Sequence, residues 1–435
     1  MKRRRTTSGR DQERGVIILL VAIVLLFVVA AFAALAIDLV TFYTARSEAQ
    51  IAADSIALAG ARALANSGMT SDPTNVPLRS QAESLACNIA LQEASQNQVG
   101  GRNLLTGPCP GTTEVGVSFD NTQSDGGNPH VIVRVSRADL PTFFARIWGR
   151  TQITVSASAT AEAYNPSGHV NITTGSAPPV APSCVKPWLL PNIDPLNPGP
   201  PANPNPIFDT STGAIEDMGL LGTAPNTPGP GLLVACSPNC TVGMTVPAWQ
   251  YYPGSQTDFP APSQALPACS TTFDAYQLSI AGCVQQPIVC GQNSSITLDL
   301  GAPGSDTDTA TAVTCLTHAQ NGQADKIDPP PPPPPQPALP PFQFLAGNDN
   351  PVASARGHDV MVSSSLVTVP VVDSFNASPA KVIGFIQVFL NPTGVGVASG
   401  APAMVVNLVG CGTAMSGQPI LGNGASPVAV RLISQ

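Results

Sequence analysis

The sequence predicts a membrane-anchored α+β chain. Its expected parts are a single N-terminal transmembrane helix extended as a stalk, a small α+β domain, Pro-rich linkers, and a disulfide-containing, mostly β C-terminal half. Three observations carry this expectation. From Val16 to Ile37, 22 residues run without a charge or a strongly polar group, long enough to cross a bilayer. Past Asp38 the helical texture continues, with no Pro and no helix-stopping Gly before Gly60 and Gly68. Beyond residue 165 the chain turns to Pro, Gly and short β-like runs, and most of its ten cysteines lie there.

The flanks of the apolar run set its direction. Lys2, Arg3, Arg4, Arg5, Arg10 and Arg14 precede it against Asp11 and Glu13, whereas 13 Lys+Arg face 25 Asp+Glu after residue 14. The positive-inside rule then places residues 1–14 in the cytoplasm, a helix over 15–37 in the membrane, and the bulk in the periplasm or outside the cell. A cleaved signal peptide shares the basic start, and Ala31-Phe32-Ala33 or Ala34-Leu35-Ala36 would suit its peptidase. The apolar run exceeds the roughly 7–15 residues of a signal core, so a retained anchor is expected.

Composition agrees with export. Charged residues make up 11% of the chain, against about 25% in ordinary soluble domains. With 46 Pro, 38 Gly and only 5% aromatics, the folded units must pack small side chains and use staples. The cysteines at Cys87, Cys109, Cys184, Cys236, Cys240, Cys269, Cys283, Cys290, Cys315 and Cys411 are even in number and all lie beyond the span, which favours disulfides in an oxidising compartment. Zinc is disfavoured because Cys236 and Cys240 form the one tight pair and no His stands near them. Neighbours such as Cys87 with Cys109, or Cys283 with Cys290, are possible pairs; spacing alone does not fix the connectivity. The acidic balance, a net charge of −8, excludes the basic footprint of a nucleic-acid binder.

Residues 38–67 are expected to form the stalk. Ala45, Ala49, Ala53, Ala57, Ala61 and Ala65 recur every fourth position, flanked by Arg46, Gln50 and Asp54 at the same spacing. On a helix this makes a smooth alanine ridge beside a polar row able to pair along the axis. Such a ridge lets a second helix approach closely, so self-association through the stalk is one reading; high alanine helix propensity is the plainer one. A continuous helix to Asn66 would extend about 75 Å.

Residues 68–165 read as a small α+β domain. Ala82, Leu85, Ala86, Ile89 and Ala90 give the stripe of a half-buried helix over 80–96. Strands are expected at 114–119 and 130–135, joined by the turn at 124–129, and a long one at 151–164. Between the last two, Leu140, Phe143, Phe144 and Ile147 fall on one face of a short aromatic helix. That helix is expected to plug the Ala/Val-rich sheet rather than to form a membrane-surface or docking patch. Residues 166–230 read as a Pro/Gly-rich linker and 231–324 as a Cys-rich loop and β region. Residues 325–345 hold seven consecutive prolines, Pro329 to Pro335, a polyproline spacer. Residues 346–435 read as a C-terminal β module with strands at 359–362, 366–372, 382–390 and 403–408, Pro370 demoting the second to an edge.

The N-terminal passage resembles the TadE/TadG-like proteins of bacterial tight-adherence (Flp) pilus loci, most closely the TadG-like type. The carrying residues are Arg14-Gly15, Ala36-Ile37-Asp38-Leu39, Tyr43, Arg46, Gln50 and Ala52-Ala53-Asp54, then the segments 140–149 and 153–161. The resemblance implies an inner-membrane-anchored envelope protein of pilus assembly or a related secretion apparatus, without enzymatic activity. Its implied partners are the membrane and pilus or secretion machinery proteins. Gly15 is followed by Val16-Ile17-Ile18-Leu19-Leu20, which lacks the Glu of a prepilin-peptidase site. The nearest match to a von Willebrand A metal motif, 371–376, lacks its Ser at the third place, so no magnesium site is expected.

Other chemistry is sparse. No Gly-x-Ser-x-Gly, His-Glu-x-x-His or Gly-x-x-x-x-Gly-Lys occurs, so no catalytic residue, cofactor or metal is expected. Asp306 and Asp308 read as a solvated turn, Asp325 and Asp328 as linker acids, and His318 and His358 as surface or satisfied histidines. The alternative function is an anchored or secreted adhesin or carbohydrate-binding protein using the C-terminal half.

Overall fold

The structure is a computed structural model that describes residues 9–120, 128–167, 180–194, 197, 199–200, 203–223, 249–250, 272–282, 287–289, 295–296, 306–319, 323–328, 339–360, 363–373, 380–390, 403–411, 420–421 and 426–434. The turn at 124–129 (save its last two residues), the proline run, and Cys236, Cys240, Cys269, Cys283 and Cys290 lie outside the described residues.

A single helix, α1, runs unbroken from Gly9 to Asn66 over 58 residues. Its first part is the apolar run, whose large side chains stand exposed, Val16 to Leu20 each at about 61–69%. Its second part is not a free stalk. From Ala45 onward it lies in the core of the α+β unit, where Ala45, Ala49, Ala52, Ala53, Ile56, Ala57, Ala61 and Leu64 are at most 1% exposed. The reason is surface area. An alanine ridge beside Ile56 and Leu64 fits flush on a sheet of Val and Ala, and burying it there removes it from water.

Helix α2 spans Val76–Gln96, starting four residues before the expected start at residue 80. Asn75 caps it by accepting the Leu78 N–H, and Pro77 sits in the first turn, where a missing donor costs nothing. The sheet beneath is built from β1 (Val115–Asp120), β2 (His130–Pro141) and β3 (Gln152–Tyr164), all antiparallel. Val131, Val133 and Val135 alternate inward toward α1 and α2. Gly60 stands where α1, α2 and β2 meet, and a Cβ there would lie 2.9 Å from Val131 Cγ1 and 3.5 Å from the Ala90 methyl. Gly60 thus does not stop the helix but marks a point of close approach.

The second half of the chain makes another sheet. Strand β4 (Trp188–Pro191) pairs in parallel with β5 (Leu366–Val372), which pairs antiparallel with β6 (Ala380–Leu390) and onward to β7 (Ala403–Gly410). Every residue of β5 is buried, the pattern of a strand covered on both faces. On one face lie Phe208, Leu220 and two helices, α3 (Ala275–Ala281) and α4 (Asp306–Leu316). Residues Val372, Val382, Phe385 and Val409 instead join the core of the first unit.

Several expectations change here. Residues within 166–230 are not all linker, because β4 enters the sheet and Asn192 binds the backbone of Ile207 and Phe208. Asp306 and Asp308 lie in the first turn of α4, not in a solvated turn. The 325–345 spacer is closed at its base: Lys326–Asp328 pairs with Gln343–Leu345, and Asp325 accepts from Gly347, Asn350 and Ser363. Strand β5 is interior, not an edge. The carbonyls of Thr368 and Val372 face residues 186–192, so Pro370 turns its donorless nitrogen the same way. There the ladder pairs only Val371 and Val372. Asp359 makes only an isolated bridge to Leu345.

The last strand, β8 (Ala429–Ser434), returns to the first sheet and pairs antiparallel with β3, giving the order β8-β3-β2-β1. The halves of the chain are therefore interleaved. The turn after α1 is tied to β7 by Asn407 Nδ2 to Ala65 O at 2.6 Å and by Leu408 N to Ser71 Oγ at 2.9 Å. Gly68, with φ +85°, makes that turn, and a Cβ on it would meet Phe342 and the Val406 carbonyl at 3.0–3.1 Å.

Candidate functional site

The most developed surface feature lies where the apolar part of α1 meets the folded unit. Asp38 is the first charge after 22 uncharged residues. Its carboxylate accepts the backbone N–H groups of Phe143, Phe144 and Ala145 at 2.9, 3.0 and 2.8 Å. These amides converge because the connection from β2 to β3 is a tight loop with a 3-10 turn over Ala145–Trp148, closed by Gly149 at φ 78°. Arg150 N donates to Ala145 O, and the Thr142 hydroxyl donates to Arg150 O. Three adjacent N–H groups form an anion cradle, and a side chain of the same molecule fills it. Desolvation opposes ionisation of Asp38, but the three backbone donors outweigh it and hold its pKa below the ordinary carboxylate value.

This clamp corrects the reading of the aromatic segment. Leu140 belongs to β2 and is buried, but Phe143 is 61% exposed. Phe143 therefore does not plug the core. It stands out from the sheet near Leu39 of α1, itself 51% exposed. Between the loop and α1 lies an apolar groove of about 460 Å³, lined by Leu35, Leu39, Phe42, Leu140, Phe143 and Ile153 among others. Gly100 closes one end, its N–H donating to Glu48 on α1 at 2.6 Å.

The residues singled out from sequence fall as follows. The ridge Ala45, Ala49, Ala53, Ala57, Ala61 and Ala65 is 0–1% exposed, taken up by the chain's own sheet and α2 and not left for a partner helix. The polar row beside it is used internally: Gln50 donates to Asp54 at 2.8 Å and to the Ser158 carbonyl at 3.2 Å. Cys87 on α2 and Cys109 in the loop before β1 form a disulfide across 22 residues. Cys184, Cys315 and Cys411 are also disulfide-bonded, and no cysteine is free among the described residues. His318 Nε2 lies 3.5 Å from Ser364 Oγ, while its buried Nδ1 has no hydrogen-bond partner, so no carboxylate orients the ring for proton relay. Among the described residues no three His, Cys, Asp or Glu gather as a metal set.

Two arrangements were not legible in the sequence. Glu162, 2% exposed, accepts from Asn128 at 2.7 Å and from Arg431 at 2.8 Å. The Arg431 guanidinium also lies 5.1 Å from the Tyr164 ring centre. Its separation of 269 residues from Glu162 left no local signal. Lys186 is buried and donates to the carbonyls of Ile280 and Gly282 at the end of α3, at 2.7 and 2.9 Å. Burial pushes its pKa down to about 7.

No curated protein matches the chain, and no solved structure matches it. A protein-family model does, over residues 15–63, and its description is Tad, putative Flp pilus-assembly TadE/G-like. That match covers the apolar run, Asp38 itself and nearly all of the alanine face, but not the loop that clamps Asp38. Over those residues the first helix is similar to the TadE/G-like Flp pilus-assembly family.

Proposed function

We propose that this chain is a non-enzymatic envelope protein, anchored in the bacterial inner membrane by residues 15–37, that acts in Flp/Tad-type pilus assembly or a related secretion apparatus. One observation carries the reading. The TadE/G-like match follows a single helix from its lipid-suited run into the core of a folded unit without a linker. Any force or position imposed on the anchor is passed to the sheet directly, and that suits a structural component better than a tethered enzyme. The charge flanks of the run orient residues 1–14 to the cytoplasm and the folded part to the periplasm. Disulfide bonds at Cys87, Cys109, Cys184, Cys315 and Cys411 fit that compartment.

The adhesin reading finds less support. A free distal module would leave the anchor-bearing unit to itself, yet β8 completes the first sheet and β7 binds the turn after α1. The test is crosslinking in the native envelope followed by identification of the joined proteins. Pilus or secretion components crosslinked to the α+β unit are the expected result. Crosslinks confined to proteins outside such machinery would contradict the assignment.

A further inference from the structure

The groove beside Asp38 is apolar and unfilled by the described residues. Leu35, Leu39 and Phe42 form its floor at i, i+4 and i+7 on α1, and Leu140, Phe143 and Ile153 form its wall. Its volume of about 460 Å³ lies within the range of small-molecule pockets. Asp38, the one charged group on its lining, is already engaged by three amides. A water-filled groove with this lining would keep Leu39, Phe143 and Ile153 exposed at 51, 61 and 41%, which is costly for apolar side chains of this size.

What covers it is indicated by position and charge. The floor continues the exposed apolar face of the run that ends at Ile37, so the groove opens where hydrocarbon gives way to headgroups. Tyr43 stands exposed one turn beyond, as aromatic side chains do at that level. Arg146 and Arg150, both exposed, belong to the same loop, one and five residues from the lining residue Ala145. They are local cations in a chain of net charge −8. A second alanine-packed helix is a poorer fit, because the small-residue face of α1 is already buried.

We propose that this groove seats an acyl chain of an anionic phospholipid from the outer leaflet, with the phosphate held by Arg146 and Arg150, so that the loop from 142 to 151 is a lipid-anchored foot that fixes the tilt of the folded unit on the bilayer. The proposal rests on the anchored reading of residues 15–37. Its test uses the full chain in nanodiscs of phosphatidylethanolamine and phosphatidylglycerol, with a trace of phosphatidylglycerol bearing a diazirine on its acyl chain. After photolysis the labelled peptides are mapped. Label is expected both on residues 16–34 and on 140–153. Ile153→Trp, which fills the groove from a partly exposed site, should remove most of the loop label and leave the span label unchanged. Replacing phosphatidylglycerol by phosphatidylcholine throughout, probe included, should weaken the loop label severalfold. Label on the span with a bare loop would overturn the groove and leave the anchor standing, as would loop label indifferent to Ile153→Trp. Label on neither would overturn the anchored reading and the groove together.

Discussion

At the scale of single residues, Asp38 ties α1 to the loop between β2 and β3. Three amides converge on one carboxylate, so Asp38→Ala should release the N–H groups of Phe143, Phe144 and Ala145 to solvent. Hydrogen exchange at those three amides should speed up while β2 and β3 stay protected; unchanged exchange would contradict the clamp. Gly60 is a packing requirement of a different kind. Gly60→Leu should cost about 1–3 kcal/mol by forcing α1 off Val131 and Ala90, read as a lower Tm of the whole unit. Asp209 offers a pH test. The Ser211 hydroxyl, then the backbone and hydroxyl donors of Thr212 and Ser211, hold its pKa down to about 2 from 3.8. The stabilisation it gives is present above the unfolded value near 3.8 and is lost as pH falls through about 2. A carboxyl NMR titration of Asp209 with a midpoint near 3.8 would show the turn is not held this way. Asp38 and the aromatic loop were visible in the sequence as separate marks, a lone acid after an apolar run and a Phe pair before a glycine. Their contact was not, since it spans 105 to 107 residues.

At the scale of elements, the two long helices were legible because their patterns are local. Helices α3 and α4, by contrast, stand in 231–324, which read as loop and β, and the expected aromatic helix is only a 3-10 turn. The 3.6-residue stripe of α2 and the unbroken run of α1 both predict helices where helices stand. Strands β1 to β3 and β5 to β7 were readable from alternation or from short Val-rich runs. What the alanine ridge packs against was not readable, because a small-residue face serves a helix or a sheet equally well. Pro370 misled for a related reason: proline forbids a donor on one side of a strand only, and β5 turns that side to a nearly unpaired stretch. The Cys87–Cys109 disulfide pins α2 to the loop before β1. Replacing both cysteines by serine should lower the stability of the α+β unit by roughly 2–4 kcal/mol, measured by denaturant unfolding under oxidising conditions. An unchanged midpoint would mean that α2 is held by packing alone.

At the scale of the whole molecule, the chain closes on itself. Strand β8 covers the outer edge of β3, and Arg431 pairs there with the buried Glu162. Arg431→Ala should leave Glu162 short of a partner and cost about 1–3 kcal/mol. Ending the chain before Ala429 should do more, baring the β3 edge to proteolysis and to pairing with other chains. Neither closure could be foreseen from a sequence whose last strand is six residues long and far from its partner. One long helix is built into a body whose two main sheets interleave, and the function proposed for it requires that this helix is kept as a membrane anchor. The most direct measurement is the intact mass of the protein extracted from alkali-washed membranes. A mass that includes residues 15–37, in the membrane fraction, is the predicted result. A mature N-terminus near Ile37, with the protein released to the soluble fraction, would contradict it.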